Sequence, residues 1–170
     1  MILLGCKPKG RHTEQHDIFF GIANQVKDLV PAIHTFWPEA KGKIHLDAYR
    51  VINHVEGFKA EVIEKNASSN KTQRLFFMNL GGYQRNIFEE LHYKMLIVAE
   101  EKSLAIKKAK ESQFFKQYFS PHIDDKYGVD VDDVFEIEEV LPEDMKAKYQ
   151  LAFTPMNGLL EDEMVLGYMP

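Results

Sequence analysis

The segment 1–23, MILLGCKPKGRHTEQHDIFFGIA, recurs in outline at 77–99, FMNLGGYQRNIFEELHYKMLIVA. The identical residues stand at the same relative positions, and apolar positions between them match apolar positions. A pattern that recurs at fixed spacing indicates an internal duplication. The recurring residues are Leu4, Gly5, Glu14, His16 and Ala23, which reappear as Leu80, Gly81, Glu90, His92 and Ala99.

A second landmark extends the repeat. The triplet His45-Leu46-Asp47 reappears as His122-Ile123-Asp124, one residue further along than the first spacing requires. The stretch 65–74 between the copies is almost entirely polar, which is typical of a solvated connector. A unit of this size is marginally stable alone, so we expect one shared core and one cooperative fold. The predicted segments are a first repeat at 1–65, a connector at 66–74, a second repeat at 75–141, and a C-terminal extension at 142–170 with strands packed on the repeats.

Each repeat has the pattern strand-strand-helix-strand-strand. Short apolar or alternating runs indicate strands, and apolar residues three and four apart indicate the helix. In the first repeat Pro31 lies inside the helical run, so the helix is expected to start near residue 30. These elements predict an α+β fold whose sheet or sheets carry the helices on one face. The predicted strands are 1–6, 16–23, 44–52, 58–63, 75–80, 91–99, 134–141, 149–153 and 164–168, with a second helix at 101–115.

Composition excludes several classes of protein. The 170 residues are 45% hydrophobic and 28% charged, with a formal net charge of −5, which is typical of a globular protein. The apolar runs are too short to span a membrane. There is one cysteine and no apparent signal segment, so a cytoplasmic location is expected. Acidic residues crowd the segment 124–133, which we interpret as a solvated edge. Because phosphate repels such an edge, neither nucleic acid nor a membrane is expected as a partner.

The repeated histidines are the candidate catalytic residues. Residues two apart in a strand point to the same face, so each repeat places a carboxylate beside an imidazole. Such a pair is suited to three roles: a buried structural pair, a general base, or a set of metal ligands. The sequence leaves these alternatives open. The catalytic candidates are His16, His45, Asp47, His92, His122 and Asp124, and the four histidines among them are also the metal-ligand candidates.

A glycine-containing loop is expected after the first strand of each repeat. Backbone amides in such a turn, together with one cation, can bind an anion. The alternative is a solvated turn without a ligand. The candidate anion-binding residues are Lys9, Gly81, Gly82 and Arg85.

Several motifs resemble a bacterial family known as domain of unknown function 1543. They are LGCKPKG at 4–10, EQHD at 14–17, FWP at 36–38, KIHLD at 43–47, NLGGY at 79–83, FEELHYK at 88–94 and HIDD at 122–125. The family occurs as one or two copies per chain, which agrees with the predicted duplication. The resemblance implies no activity.

Three functions remain as hypotheses. The first is a module that binds a small anionic ligand at the repeated glycine loops and His/Asp positions. The second is a hydrolase that depends on His and Asp side chains, with or without a metal. The third is a structural or interaction protein that acts as a homodimer. No organic cofactor is predicted.

Overall fold

The computed structural model describes residues 1–66, 72–83, 86–112, 131–156, 158, 160 and 162–169. It confirms a mixed α+β fold that consists mostly of strands in three antiparallel sheets. None of the helices in these ranges is long and apolar enough to cross a membrane. In chain order the elements are β1 (Ile2–Cys6), β2 (Gln15–Phe19), α1 (Val30–Phe36), β3 (His45–Tyr49), β4 (His54–Val55), β5 (Phe58–Glu64), β6 (Arg74–Tyr83), β7 (Glu90–Ala99), α2 (Lys102–Lys110), β8 (Val131–Glu136), α3 (Ile137–Val140), α4 (Glu143–Lys148), β9 (Tyr149–Pro155) and β10 (Val165–Met169).

The first sheet has the strand order β10-β3-β1-β2. Alternate residues of β1 point to the same face, and Ile2 and Leu4 on that face are buried against Leu29 and Ile33. Helix α1, which begins at Val30 with Pro31 in its first turn, therefore covers this face. The predicted late start of the helix is confirmed. The opposite face of β1 carries Gly5.

The second sheet has the order β7-β6-β8 and is covered on both faces. On one face Met78 and Leu80 pack with Ala105 and Ala109 of α2, and all four side chains are fully buried. Small residues at these helix positions let the helix approach the sheet closely. Gly81 lies on the opposite face of β6.

The third sheet, β4-β5-β9, packs on that opposite face of the second sheet. Leu75 and Phe77 of β6 contact Val55 of β4, Leu151 of β9 and Ile137 of α3 in one apolar core. Helices therefore pack on both faces of the second sheet, which corrects the expectation of helices on one face only. Because the three sheets share cores, the described elements form one packed unit.

Several predicted strands have different bounds in the structure: the strand predicted at 16–23 ends at Phe19, and the one predicted at 44–52 ends at Tyr49. The strand predicted at 134–141 ends at Glu136, and α3 follows at 137–140. Ile137 and Leu141 are both buried, and a separation of four residues places both on one side of a helical turn. The strand predicted at 75–80 continues to Tyr83, so Gly81 and Gly82 lie in a strand rather than in a loop.

Asp162 connects the C-terminal segment to the start of β4 through hydrogen bonds. Its Oδ2 accepts hydrogen bonds from the backbone amides of Asn53 at 2.6 Å and His54 at 2.7 Å, and its Oδ1 accepts one from Asn53 Nδ2 at 3.0 Å. Burial alone would raise the pKa of Asp162, but these hydrogen bonds and the nearby His54 outweigh it, so the pKa lies below the usual 3.8. The ionised carboxylate therefore stabilises the folded state.

We predict that Asp162→Asn lowers the free energy of unfolding at pH 7 by about 1–3 kcal/mol, because charge-assisted hydrogen bonds are lost. The pKa is lower in the folded than in the unfolded chain. The stabilisation is therefore complete above about pH 3.8 and disappears as the pH falls through the folded-state value.

Urea unfolding at pH 7 and pH 3 measures this effect against the wild type. Exposed Asp144→Asn is the control and should lose only about 0.3–1 kcal/mol, as expected for a charge at the start of a helix. An equal deficit for Asp162→Asn at both pH values would contradict the assignment.

Candidate functional site

Four polar side chains converge above Gly5 on the face of the first sheet that α1 leaves uncovered. Gly5 of β1 lies between His16 of β2 and His45 of β3 in the strand register. Glu14 precedes β2 on the same side, and Asp47 belongs to β3. We call Glu14, His16, His45 and Asp47 the first cluster.

The side chains of the first cluster contact one another through their charged ends. His45 Nε2 lies 2.6 Å from Glu14 Oε1 and 3.3 Å from Asp47 Oδ1. His16 Nε2 lies 3.2 Å from Asp47 Oδ2. Both imidazoles therefore direct Nε2 towards carboxylate oxygens. The side chain of His45 is 14% exposed, whereas those of His16 and Glu14 are 45% and 42% exposed, so the cluster is open to solvent on one side.

Asp47 lies in a β-bulge beside the cluster. Leu4 pairs with Leu46, but Leu3 pairs with Ala48, so Asp47 is an extra residue without a partner in β1. Leu46 faces the core beneath α1, and Asp47, two residues from His45, lies on the side of Gly5 as the alternation of a strand requires. The bulge shifts the register after Asp47, so that Tyr49 faces the core again.

The absence of a side chain at position 5 leaves the space that the donor atoms fill. A Cβ at Gly5 would lie 2.4 Å from His45 Nε2, 2.6 Å from Asp47 Oδ2 and 2.9 Å from Glu14 Oε1. Donors from three residues thus surround one point. Within the described residues, the buried Asp47 Oδ2 accepts no hydrogen bond of good geometry. A buried carboxylate oxygen without a well-aligned hydrogen bond favours a cationic partner, either the nearby His16 Nε2 at 3.2 Å when it is protonated or a bound cation.

The second sheet carries a corresponding arrangement, which we call the second cluster and which comprises Glu90, His92 and Asp132. His92 pairs with Gly81 in the strand register. His92 Nε2 lies 3.1 Å from Asp132 Oδ2 and 3.9 Å from Glu90 Oε1. A Cβ at Gly81 would lie 2.3 Å from Asp132 Oδ2, so the carboxylate again fills the space above a glycine.

Asp132 is also the extra residue of a bulge. Leu80 pairs with Val131, whereas Asn79 pairs with Asp133. By strand register, therefore, Asp132 corresponds to Asp47. Strand β8 pairs with β6 in the same way as β3 pairs with β1. This register differs from the sequence alignment that matched Asp47 with Asp124.

A partly open pocket of about 190 Å³ lies between the first two sheets and is lined by Ile18 of β2 and by Lys94 of β7. Ile18 is two residues from His16, and Lys94 is two residues from His92, on the same face in each case. Two residues along a strand span about 7 Å. None of the cluster residues lines this pocket.

The structure places the remaining candidates apart from the clusters or outside the described residues. Lys9 is exposed in the turn after β1, away from Gly81 and Gly82 in β6. His122, Asp124 and Arg85 fall outside the described residues. Cys6 is buried, and burial followed by the nearby Glu14 charge raises the pKa of its thiol, which disfavours the reactive thiolate.

Sequence reasoning paired Glu14 with His16 and Glu90 with His92 but did not include the two glutamates among the candidate residues. It missed Asp132, which was assigned to a solvated edge. A feature of the sequence could have identified the bulge at Asp132. Val131 and Val134, which are three residues apart, are both buried. Apolar residues three apart break the alternation of a strand and indicate a bulge between them.

Comparison with known proteins supports the resemblance for one segment of the first repeat. Residues 11–62 match the family model described as Domain of Unknown Function (DUF1543). The resemblance to this family is thereby confirmed. All four donors of the first cluster lie in the matched segment. No curated protein matches the chain.

A solved structure is similar over nearly the whole chain. The crystal structure of a protein Il1583 from Idiomarina loihiensis has a TM-score of 0.66 and 21% sequence identity, with 99% of this chain and 94% of that chain covered. At this identity the similarity concerns the fold alone.

We predict that Gly5→Ala disturbs the first cluster specifically. The new methyl group would displace His45 and Asp47, because both lie within 3 Å of its position. Overpacking of this kind costs about 1–3 kcal/mol. The imidazole resonances of His16 and His45 in two-dimensional NMR spectra should shift.

Gly21→Ala is the matched control. Its methyl group would meet Leu29 and Phe19 at 2.7 and 2.8 Å, so it should destabilise the fold while leaving the imidazole resonances unchanged. Equal resonance shifts in both variants would show that Gly5 does not act through direct contact with the cluster.

Proposed function

We propose that the protein binds a divalent transition-metal ion at the first cluster and uses it to activate water for hydrolysis. The convergence of two imidazole nitrogens and two carboxylates above Gly5 carries this proposal. Imidazole suits zinc, copper, iron and nickel, and carboxylates complete a mixed ligand shell. Three donor pairs of the first cluster lie 2.6–3.3 Å apart, close to the roughly 3.3 Å separation of ligands bound tetrahedrally at about 2.0–2.1 Å. No three of its donor atoms all lie within 4.8 Å of one another, so a bound ion would require rotation of these side chains.

The charge of the site favours a cation over the small anionic ligand expected first. Carboxylates fill the space above Gly5, and they would repel a phosphate or carboxylate group. A dication would neutralise Glu14 and Asp47 and would satisfy the buried Asp47 Oδ2. The glycines therefore support the binding of a metal through the side chains that they admit, rather than the binding of an anion through their amides.

Solvent access supports catalysis over a purely structural metal. Structural zinc sites are usually closed, whereas catalytic sites leave a position for water. His16 and Glu14 lie on the open side of the cluster, and a metal lowers the pKa of its bound water so that hydroxide forms near neutral pH. With His16, His45 and Asp47 as the ligands, one position stays open for water, and Glu14, the more exposed carboxylate, would take the proton from that water. Metal-assisted hydrolysis is therefore the reaction class that we assign to the site.

The duplication remains part of this proposal. The same four features recur in both sheets: a glycine, a histidine paired with it, a glutamate two residues before the histidine, and an aspartate in a bulge. This recurrence supports two copies of one ancestral unit, with β8 rather than the 122–124 segment aligned with β3. A cytoplasmic location and a homodimer remain predictions.

We predict that the protein, purified without a tag, binds about one zinc ion tightly at the first cluster and that His45→Ala weakens this binding by at least about tenfold, because loss of even an outer partner costs 10–100-fold. Isothermal titration calorimetry measures the affinity. His34→Ala, at an exposed position in α1, is the control and should bind zinc like the wild type.

A structural role for the histidines gives a different result. In that case His45→Ala would lower the free energy of unfolding by several kcal/mol, as expected when a buried network is broken, and the wild type would bind no zinc at micromolar concentration. Hydrolysis of p-nitrophenyl phosphate and p-nitrophenyl acetate by the zinc-loaded protein tests the catalytic part separately, with His45→Ala as the inactive reference.

A further inference from the structure

We infer that the second cluster is a separate cation site with a harder ligand set, suited to Mn²⁺. The inference does not require the proposed hydrolase function, because Glu90, His92 and Asp132 share no residue with the first cluster. Their three donor atoms come from two different strands, β7 and β8, and meet above a third strand, β6. The site therefore depends on the folded sheet and not on a local sequence motif.

The geometry of the second cluster meets the requirements of a metal site directly. Among the described residues, it is the one group of three His, Cys, Asp or Glu side chains whose donor atoms all lie within 4.8 Å of one another. His92 Nε2 lies 3.1 Å from Asp132 Oδ2 and 3.9 Å from Glu90 Oε1. An ion equidistant from all three needs only small rotations of these side chains.

The backbone is shaped for this convergence. Gly81 leaves the space in which the Asp132 carboxylate lies. Asp132 is the extra residue of a bulge in β8 opposite Asn79 and Leu80, and it follows Val131 of the α2 face, so it lies on the side of Gly81. The neighbouring Asp133 is engaged elsewhere, because its Oδ2 accepts a hydrogen bond from Asn79 Nδ2 at 3.1 Å. The side chain of Asp132 therefore lies in the cluster, whereas that of Asp133 is hydrogen-bonded outside it.

The donor set determines which cation fits. The second cluster has one imidazole and two carboxylates, whereas the first cluster has two of each. Oxygen-rich sets suit manganese, magnesium and calcium, whereas imidazole favours zinc, copper and nickel. The side chains of Glu90, His92 and Asp132 are 30%, 33% and 25% exposed, so water can complete an octahedral shell. Mn²⁺ accepts both the imidazole and the oxygen ligands.

Lys94 is the cation on the same face, two residues from His92. Its side chain lines the pocket between the first two sheets and contributes a positive charge near the cluster. This charge reduces the affinity for a dication. We therefore expect Mn²⁺ binding in the micromolar range or weaker, and Lys94→Gln should bind Mn²⁺ more tightly than the wild type.

Electron paramagnetic resonance tests the inference, because the signal of hexaaquo Mn²⁺ decreases when the ion binds protein. Metal-free wild-type protein and each variant are titrated with MnCl₂ in the absence of Zn²⁺, because Zn²⁺ binds a given ligand set more tightly than Mn²⁺ and would occupy the second cluster. One Mn²⁺ site is expected. Glu90→Gln should weaken Mn²⁺ binding by at least about tenfold, whereas Glu89→Gln, an exposed neighbour outside the cluster, should not change it.

Two further variants separate this inference from the hydrolase proposal. His45→Ala should keep the Mn²⁺ site while it loses tight Zn²⁺ binding, and His92→Ala should do the reverse. Far-ultraviolet circular dichroism and the unfolding midpoint establish that each variant is folded. Unchanged Mn²⁺ binding in Glu90→Gln and His92→Ala, loss of Mn²⁺ binding in His45→Ala, or no Mn²⁺ bound by the wild type would each overturn the inference.

Discussion

The close approach of side-chain donors to the backbone at two glycines is the constraint on which the candidate sites depend. A Cβ at Gly5 or Gly81 would lie within 2.4 Å of a histidine nitrogen or a carboxylate oxygen, a separation that atoms in proteins do not tolerate. These strand positions therefore require glycine, although glycine weakens a strand. Glycine lowers the stability of the strand. A cation that binds the donor side chains in the space above each glycine would offset this loss of stability.

The β-bulges at Asp47 and Asp132 are the second constraint on the position of the clusters. A regular strand would direct Asp47 and Ala48 to opposite faces, and one extra residue lets both lie on the side of Gly5 while Leu46 and Tyr49 pack with the core beneath α1. The apolar residues on either side fix the register, because a slip by one residue would expose them. The core thus positions the polar cluster, and the position of the carboxylate follows from the burial of its neighbours.

Much of this architecture can be predicted from the sequence, and the exceptions have physical causes. Alternation of apolar residues locates most of the strands, and Pro31 fixes the start of α1. The pairing of His92 with Gly81 was not predicted, because Gly81 was assigned to a loop, although the spacing from Gly81 to His92 repeats that from Gly5 to His16. Asp132 was not recognised, because a bulge breaks the period of two on which strand assignment depends. The helical turn at α3 was also missed, since four residues are too few to establish a helical period.

Identification of the atoms that coordinate a bound zinc ion tests the central claim most directly. X-ray absorption spectroscopy at the zinc edge, on protein loaded with one equivalent of Zn²⁺, reports the ligand atoms and detects imidazole through multiple scattering. The account predicts nitrogen and oxygen ligands at about 2.0–2.2 Å, scattering from two imidazoles, and their loss in His45→Ala. A shell of oxygen atoms without imidazole scattering, or a sulfur ligand at about 2.3 Å, would contradict it.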